Sequence, residues 1–411
     1  MALDRRTFLQ RSALAALGTS LLSNKLWAAE DPIRIAGIFD QSGGLDIYGQ
    51  PVMACMEQAV DDLNAQGGLL GRPIELIKYD PQSNIQYYTQ FATQAATRDK
   101  VAVVFGGITS ASREAIRPIL RRYRVPYFYP SLYEGGVCDR NAFIVGTTPA
   151  QTVAKIIPRA VELWGKKIYV IAADYNFGRI SSDWVQTFAK QSGAEVVASD
   201  FFPLDATDFG ATIKRIQQAK PDMVFSLLVG GNHMAFFRQW AAAGMAGKIP
   251  IASSDFGVGN EHKVLTPAES EGILAAYAYF EELETPANTA FLKRFKAKFG
   301  ARTPTVNETS MDAWYAVMHW ANGVKAAGST ERMAVIEALE KGSQVQGPGG
   351  LSTLDAATHH CQVDVHLGQV HNGAFKVLET YPQLPPSDTA AVCNLLQNPN
   401  DNQQYVIKAQ G

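Results

Sequence analysis

The stretch from Val101 to Tyr133 restricts the possible folds of this chain more than any other segment. A short apolar run at residues 101–105, rich in β-branched side chains, ends at the pair Gly106-Gly107. A helical pattern follows, and the next apolar run stops at Pro130. An uninterrupted apolar run suits a strand that is covered on both faces. The segment therefore predicts a β-turn-α-β unit of a parallel sheet.

Hydroxyl side chains gather at the turn of this predicted unit. Thr109, Ser110 and Ser112 lie where the helix begins, so one of them can cap the helix while the others and the free backbone N–H groups stay available. An aromatic cluster that includes Tyr129 follows at the next strand. Open parallel sheets bind small ligands at their carboxyl edge. The sequence indicates candidate ligand contacts there, with the alternative that the two serines only cap the helix.

The same rhythm of strands and helices fills most of the chain. It begins with the strand at residues 33–39, and it returns between the helix at 151–164 and the strand at 250–255. A chain of 411 residues is too long for one compact core. Two α/β lobes are therefore expected. The second lobe offers strand-end loops at Tyr175, Gly230 and Asp255.

The amino terminus resembles a twin-arginine export signal, which we assign to residues 1–29. It has paired arginines at positions 5 and 6, an apolar small-residue stretch at 13–22, and the pair Ala28-Ala29. We expect cleavage near Ala28 or Ala29 and a mature protein in the periplasm. The apolar stretch is too short for a permanent anchor. A net charge of -2 gives no electrostatic reason to expect nucleic acid as a partner.

The chain has four cysteines, and a disulfide is permitted in an exported protein. Cys55 lies among apolar residues of a predicted helix and is expected to be buried. Cys138 follows a Gly-Gly turn and Cys393 lies in a loop-rich tail, so we favour that pair. Cys361 with Cys393 stays open as the alternative, because sequence alone does not fix connectivity.

Patterns for catalysis and for metal binding are weak. The chain has no Gly-x-Ser-x-Gly elbow, no phosphate-binding Gly-x-x-x-x-Gly-Lys-Ser/Thr loop and no His-Glu-x-x-His helix. The strongest metal candidate is the histidine-rich stretch with His359, His360, Cys361, His366 and His371. Alternation along a strand would scatter these side chains, so we expect a solvated hairpin, turning at His371-Asn372-Gly373, rather than a metal site. Neither an enzyme activity nor a cofactor is expected.

Four segments together resemble one protein family. They are DDLNAQGGLLGRPIEL at 61–76, VAVVFGGITSASREA at 101–115, YPSLYEG at 129–135 and ADYNFGR at 173–179. They are similar to the type I periplasmic solute-binding proteins of ABC transporters, within the leucine/isoleucine/valine-binding-like group, and most of all to its urea and short-chain-amide branch. The resemblance covers about residues 33–380.

This resemblance implies an α/β fold of two Rossmann-like lobes with parallel sheets, joined by a three-strand hinge and closing on a solute. On that plan the N-terminal lobe comprises residues 30–148 and 280–343. The C-terminal lobe comprises residues 149–279 and 344–381. Residues 382–411, rich in Pro, Asn, Asp and Gln, are expected to form an irregular surface tail.

The resemblance also implies which residues contact the solute. Ser110 matches the position whose hydroxyl or amide contacts the polar head of the solute, and Thr109 lies beside it. The other matches are Tyr129 with Pro130 and Ser131 at the next strand edge, Tyr175 with Phe177 as an aromatic lid, and Val229 with Gly230 in the pocket wall.

Asp255 is the residue expected to decide the charge preference of the site. A cationic or zwitterionic solute would pair with its carboxylate, whereas urea or an amide would use it as a plain acceptor. Three features depart from the amide branch: Ile108 replaces a usual aromatic residue, Gly178 replaces a common proline, and the loop 254–261 lacks an acidic run. That loop is more similar to amino-acid binders.

We therefore expect the substrate-binding component of an ABC importer, capturing a urea- or short-chain-amide-like solute and working as a monomer with a permease and ATPase complex. An amino-acid receptor of the same fold is the alternative. An amide-sensing regulator is a further alternative, which the export signal opposes because such a sensor works inside the cell. A hydrolase is disfavoured by the missing nucleophile pattern.

Overall fold

The computed structural model describes residues 31–406 of the 411-residue chain. The predicted signal peptide, residues 1–29, lies outside this part, so the cleavage site stays a prediction. Within residues 31–406, none of the helices is both long and apolar enough to cross a membrane.

The first half of the chain alternates between strands and helices. In order, its elements are β1 (Ile33–Ile38), α1 (Asp46–Ala65), β2 (Ile74–Tyr79), α2 (Ile85–Thr97), β3 (Val104–Gly106), α3 (Ser110–Tyr123), β4 (Tyr127–Tyr129), β5 (Val137–Asp139) and β6 (Ala142–Ile144). Five of these strands form a parallel sheet in the order β2-β1-β3-β4-β6. The predicted β-turn-α-β unit is confirmed as β3-α3-β4.

The sequence at its two ends explains the length of α3. Thr109 accepts a hydrogen bond from the backbone N–H of Ser112, and the Ser112 side chain bonds back to the Thr109 backbone, which makes a capping box. Arg124 ends the helix in the left-handed conformation, with φ of 59°. Thr109 is therefore the N-cap and Ser112 its N3 partner, whereas Ser110 takes no part in the box.

The second half adds a larger sheet and the helices around it. In order, its elements are α4 (Val153–Trp164), β7 (Lys167–Ala173), α5 (Asn176–Gln191), β8 (Glu195–Phe202), α6 (Gly210–Ala219), β9 (Met223–Leu227), α7 (Gly231–Ala242), β10 (Ile251–Ser253), α8 (Glu261–Val264), α9 (Pro267–Ser270), β11 (Leu274–Tyr277), α10 (Pro286–Phe299), a 3-10 turn (Gly300–Arg302), α11 (Glu308–Ala327), α12 (Arg332–Glu340), β12 (Ser343–Gly347), β13 (Gly350–Leu354), β14 (Cys361–His371), β15 (Ala374–Leu384), α13 (Ser387–Ala390) and β16 (Asn402–Gln404).

The second sheet is parallel in one half and antiparallel in the other. Strands β8, β7, β9, β10 and β11 are neighbours in that order and run parallel. β14 then pairs antiparallel with β11, and β13, β12 and β15 continue the antiparallel part. The predicted hairpin around His371, Asn372 and Gly373 is confirmed as the β14–β15 pair.

The chain passes between the two sheets three times. The crossings lie between β6 and α4, between β11 and α10, and between α12 and β12. After the second crossing the chain returns to the first sheet, where α11 packs on α1 and the ring of Trp320 meets the edge of Phe105. This is the two-lobe α/β plan expected for a type I periplasmic binding protein, whereas the residue bounds of each lobe stay a prediction.

The carboxy-terminal segment is more ordered than the expected irregular tail. A disulfide joins Cys138 to Cys393, which confirms the favoured pairing over the alternative with Cys361. β16 pairs antiparallel with β5 close to that disulfide. Cys55 and Cys361 are buried and unpaired.

The histidine-rich stretch is mostly buried, which corrects the expectation of a solvated hairpin. His359 stacks on the ring of Phe143, and His360 contacts the hydroxyl of Tyr133. Both imidazoles are almost fully buried, and His371 is the exposed member of the set. Within residues 31–406, no group of three or more His, Cys, Asp or Glu side chains could hold a metal ion. The stretch therefore packs β14 and the turn before it against the first sheet.

Candidate functional site

A cavity with about 350 Å³ of empty space lies where the carboxyl ends of the two sheets face each other. The structure brings seven of the predicted site residues together around it: Ser110, Tyr129, Ser131, Tyr175, Phe177, Val229 and Asp255. Five residues that sequence reasoning did not select complete the lining: Tyr48, Ile108, Leu132, Val258 and Thr309.

The wall from the first sheet is fixed by hydrogen bonds across its strand ends. The Tyr129 hydroxyl donates to the backbone carbonyl of Ile108 at 3.1 Å, and the Ser131 hydroxyl donates to the carbonyl of Gly107 at 3.2 Å. Gly107 has φ of +86°, and a Cβ there would lie 3.2 Å from the Ser112 hydroxyl oxygen. Only glycine fits this turn without strain. The turn therefore holds Tyr129 and Ser131 at the cavity edge.

Ser110 is held by a buried ion pair behind the same wall. Its hydroxyl donates to Oε2 of Glu134, whose other oxygen, Oε1, accepts from Arg113 Nη2 at 3.0 Å. Both Glu134 and Arg113 are fully buried. Burial opposes the charge of Arg113, but the nearby carboxylates, chiefly that of Glu134, outweigh it and raise the pKa of Arg113. The hydroxyl of Ser110 therefore donates to a carboxyl group that is itself paired with Arg113.

The direction of these hydroxyl bonds decides what the wall offers a solute. A serine hydroxyl has one hydrogen and two lone pairs. Ser110 gives its hydrogen to Glu134 and Ser131 gives its hydrogen to Gly107. Each oxygen therefore meets the cavity as a hydrogen-bond acceptor.

Asp255 is the one acidic residue in the opposite wall. It follows β10, it is 5% exposed, and its Oδ2 is buried without a hydrogen-bond partner among residues 31–406. Burial raises its pKa to about 7, with the His233 charge lowering and the Glu261 charge raising the value. Glu261 itself is tied to His233 at 3.2 Å and to the backbone N–H of Gly257 at 2.7 Å. An unsatisfied buried carboxyl oxygen is unfavourable, so a donor arriving in the cavity would be stabilised there.

Aromatic side chains from both halves close the cavity. Tyr175 and Phe177 follow β7, with ring centroids 6.0 Å apart, and both line the space. Tyr48, from the first turn of α1, accepts a hydrogen bond from the backbone N–H of Gly230 at 2.7 Å. That bond joins the two lobes and leaves the hydrogen of the Tyr48 hydroxyl free to donate.

A second bond joins the lobes beside Ser110. Nε1 of Trp184, in α5, donates to the backbone carbonyl of Glu134 at 3.1 Å. Together with the bond between Tyr48 and Gly230, it shows that the cleft is closed in this structure.

Three predicted site residues do not line the cavity. Thr109 is the cap of α3, Pro130 lies in the strand end between two lining residues, and Gly230 contributes its backbone N–H to Tyr48. Gly230 has φ of +75°, a conformation that suits glycine.

The five lining residues that were not predicted lie outside the strand-end motifs or resemble core residues in their local sequence. Tyr48 lies in the first turn of α1, where a Gly-rich sequence is typical of a loop, and Thr309 lies in the first turn of α11. Both are far from the strand-end motifs along the chain. The signal for Tyr48 in the sequence is an aromatic residue within the Gly-rich segment 40–49. Ile108, Leu132 and Val258 are apolar neighbours of residues that were selected, and nothing in their local sequence separates them from core residues.

The side chains that line the cavity are suited to binding a small molecule. No lining residue is a histidine, cysteine or lysine. The polar groups are hydroxyls and one carboxyl, framed by aromatic and aliphatic side chains. This composition is typical of a small-molecule pocket in which a few polar groups fix orientation.

Comparison with protein families gives one match that spans most of the chain. A family described as "Periplasmic binding protein" matches residues 32–374. Among curated proteins, the Leu/Ile/Val-binding protein homolog 8 of Brucella suis is 26% identical over 307 residues, which cover 70% of this chain and 75% of the relative.

Solved structures of the same architecture superimpose closely. A solute-binding protein of an ABC transporter from R. palustris, in complex with 4-hydroxybenzoate, has a TM-score of 0.77 and 23% identity, covering 87% of this chain and 98% of the other. An amino acid ABC transporter substrate-binding protein from Pseudomonas fluorescens Pf-5 also has a TM-score of 0.77, with 21% identity, covering 88% of this chain and 99% of the other. At these identities the likeness establishes the fold.

Proposed function

Since this chain belongs to the periplasmic binding protein family, we propose that it is the solute receptor of an ABC importer and that its solute is a urea- or short-chain-amide-like molecule. The receptor would work in the periplasm, close on the solute and present it to a permease and ATPase complex. It would act as a monomer.

The observation that carries the choice of solute is the direction of the hydroxyl bonds. Ser110 and Ser131 present acceptor oxygens on one wall, and Asp255 presents an unpaired carboxyl oxygen on the other. A solute that spans the cavity therefore needs N–H donors at more than one end. Urea carries an NH2 group at each end and meets this need in full. A short-chain amide carries both N–H donors on one nitrogen and reaches one wall with them. In both solutes the carbonyl oxygen matches the free hydrogen of Tyr48.

The charges around the cavity favour a solute without net negative charge. No lining residue is cationic, and Asp255 is the only acid in the lining. A carboxylate solute would meet acceptor oxygens on both sides, and it would receive no ion pair from the walls. Selection would thus depend on the number and direction of donors.

An amino acid is the second candidate, and two observations favour it. The carboxylate of Asp255 suits an ammonium group, and Ile108, Leu132 and Val258 form an aliphatic part of the wall that a side chain could fill. The name of the Brucella relative refers to leucine, isoleucine and valine. The carboxylate of such a solute would then rely on backbone N–H groups at the start of α3, because the two serines donate elsewhere.

Isothermal titration calorimetry with urea, acetamide, formamide, leucine and valine tests the proposal. We expect an amide or urea to bind and Ser110→Ala to weaken that binding about tenfold, the effect of one lost hydrogen bond of ordinary strength. Ser112→Ala is the matched control, since Ser112 lies on the same helical turn and does not line the cavity. Equal losses in the two variants would contradict the assigned role of Ser110.

The pH dependence separates the two candidates. An ammonium group pairs with ionised Asp255, so amino-acid affinity would fall about tenfold for each pH unit below the pKa of about 7. A neutral amide needs no ionised partner, and its affinity should change little between pH 6 and pH 8. A steep loss of affinity on acidification would refute the amide proposal in favour of the amino acid.

A further inference from the structure

The carboxy-terminal segment reaches the back of the solute site through one side chain. Gln404, in β16, donates from Nε2 to Glu134 Oε1 at 3.1 Å and to the backbone carbonyl of Gly135 at 3.0 Å. Its Oε1 accepts from Arg113 Nη2. Gln404 therefore bonds both members of the buried ion pair that holds Ser110.

We propose that Gln404 is a positioning residue of the solute site, which keeps the Arg113–Glu134 pair in the arrangement that orients the Ser110 hydroxyl. This proposal rests on the assignment of Ser110 to the solute site. It gives the carboxy-terminal segment a role in binding, although the segment lies outside the cavity.

The energetics of a buried ion pair explain why such a residue is needed. Taking two charges out of water is unfavourable unless further hydrogen bonds satisfy their remaining donors and lone pairs. Glu134 and Arg113 are both fully buried. Gln404 supplies one donor to the carboxylate and one acceptor to the guanidinium, which a shorter or apolar side chain would not supply.

The position of Gln404 is fixed by three independent restraints. β16 pairs with β5 so that Gln404 lies opposite Val137, next to the register position of Cys138. The disulfide from Cys138 to Cys393 ties the same strand, β5, to the chain eleven residues before Gln404. Arg117, from α3, donates to the backbone carbonyl of Asn402 at 2.7 Å.

Glu134 also connects this network to closure of the cleft. Its side chain accepts from Ser110 and Gln404, while its backbone carbonyl accepts from Trp184 of the second lobe. A shift of Glu134 would therefore disturb both a solute contact and a contact made in the closed form. Arg113 in turn lies 5.1 Å from the ring centroid of the cavity residue Tyr129.

The test compares Gln404→Ala with Gln403→Ala in the full mature chain. Gln403 is the exposed neighbour on the same strand, and its side chain bonds only Asn402 within residues 31–406. We expect Gln404→Ala to weaken binding of urea or acetamide about tenfold, the effect of a lost hydrogen bond to a charged group, while Gln403→Ala binds like the wild type. Gln404→Ala should also melt below Gln403→Ala without solute, because the buried ion pair loses hydrogen bonds, so the affinities are compared at a temperature well below both transitions.

Hydrogen–deuterium exchange of the solute-free proteins gives a second readout that needs no known solute. The peptide covering residues 106–120 should exchange faster in Gln404→Ala and at the wild-type rate in Gln403→Ala. Equal exchange in the two variants, or unchanged affinity in Gln404→Ala, would overturn the proposal. If the wild type binds none of the solutes, the proposed function fails. The exchange comparison alone then tests whether Gln404 positions the start of α3.

Discussion

Replacing Asp255 by asparagine should stabilise the solute-free protein, and the gain should grow with pH. Burial raises the pKa of this carboxyl from 3.8 to about 7. A carboxyl whose pKa is raised by folding contributes stability below its unfolded pKa and loses that contribution as pH rises through its folded pKa. At pH 8 the ionised carboxylate therefore lowers the unfolding free energy of the folded protein, and the neutral asparagine side chain does not.

The size of the effect follows from the shift in pKa. A difference of about three units corresponds to about 4 kcal/mol of unfolding free energy, at 1.36 kcal/mol per unit. Most of this change, about 2–3 kcal/mol, falls between pH 5 and pH 8, because the unfolded carboxyl is already ionised at pH 5. At pH 8 the asparagine variant should melt several degrees above the wild type.

Differential scanning calorimetry at pH 5 and pH 8 measures this effect. Heat is the suitable denaturant, since urea is a proposed solute and would stabilise the folded form by binding to it. Asp205→Asn serves as the control, because Asp205 is an exposed loop residue. A gain in Asp255→Asn that is the same at both pH values would refute the argument that an unpaired buried carboxyl is present in the solute-free protein.

Three other substitutions test the remaining contacts. Replacing Cys138 and Cys393 together by serine should lower the unfolding free energy by about 2–4 kcal/mol in calorimetry under non-reducing conditions, because the disulfide closes a long loop. Trp184→Phe should weaken solute binding about fivefold in titration calorimetry through the lost bond to Glu134, and unchanged affinity would exclude a role in closure. Ser112→Ala should lower the unfolding free energy by about 1 kcal/mol in thermal unfolding, because it removes the side chain that bonds back to the Thr109 backbone in the capping box. A neutral result would contradict the capping box.

The fold could be predicted from the sequence because its signals are local and repeated. Periodicity and turn residues correctly predict three consecutive elements: the strand before Gly106 and Gly107, the helix after it, and the strand that stops at Pro130. The antiparallel half of the second sheet could be predicted only in part from the sequence. Its hairpin followed from the Asn-Gly turn, but the pairing of β14 with β11 joins strands that are far apart along the chain.

The site could be predicted only where it coincides with strand ends. Ser110 and Asp255 lie at carboxyl ends of parallel strands, where topology alone brings residues together. Tyr48 and Thr309 reach the cavity because α1 and α11 pack beside each other, which no local pattern reports.

The carboxy-terminal segment shows a different limit of sequence reasoning. The residues Asn402–Gln404 have no apolar alternation, so a strand is not predicted there. Their pairing with β5 uses backbone hydrogen bonds, to which any sequence without proline can contribute. The disulfide beside the pair then supplies the restraint that a buried apolar face supplies in other strands.

The charges of the two walls have different origins, and this difference explains how the site could discriminate. Behind Ser110, the charge of Glu134 is balanced by Arg113, so that wall meets the cavity as a neutral acceptor. Across the cavity, Asp255 has no such partner, and its charge depends on pH and on the solute. A donor-rich neutral solute satisfies both walls at any pH near 7, whereas a zwitterion satisfies only the second wall by charge. Under the proposed function, the hydrogen-bond direction at Ser110 would therefore have more influence on the choice of solute than the net charge of the cleft.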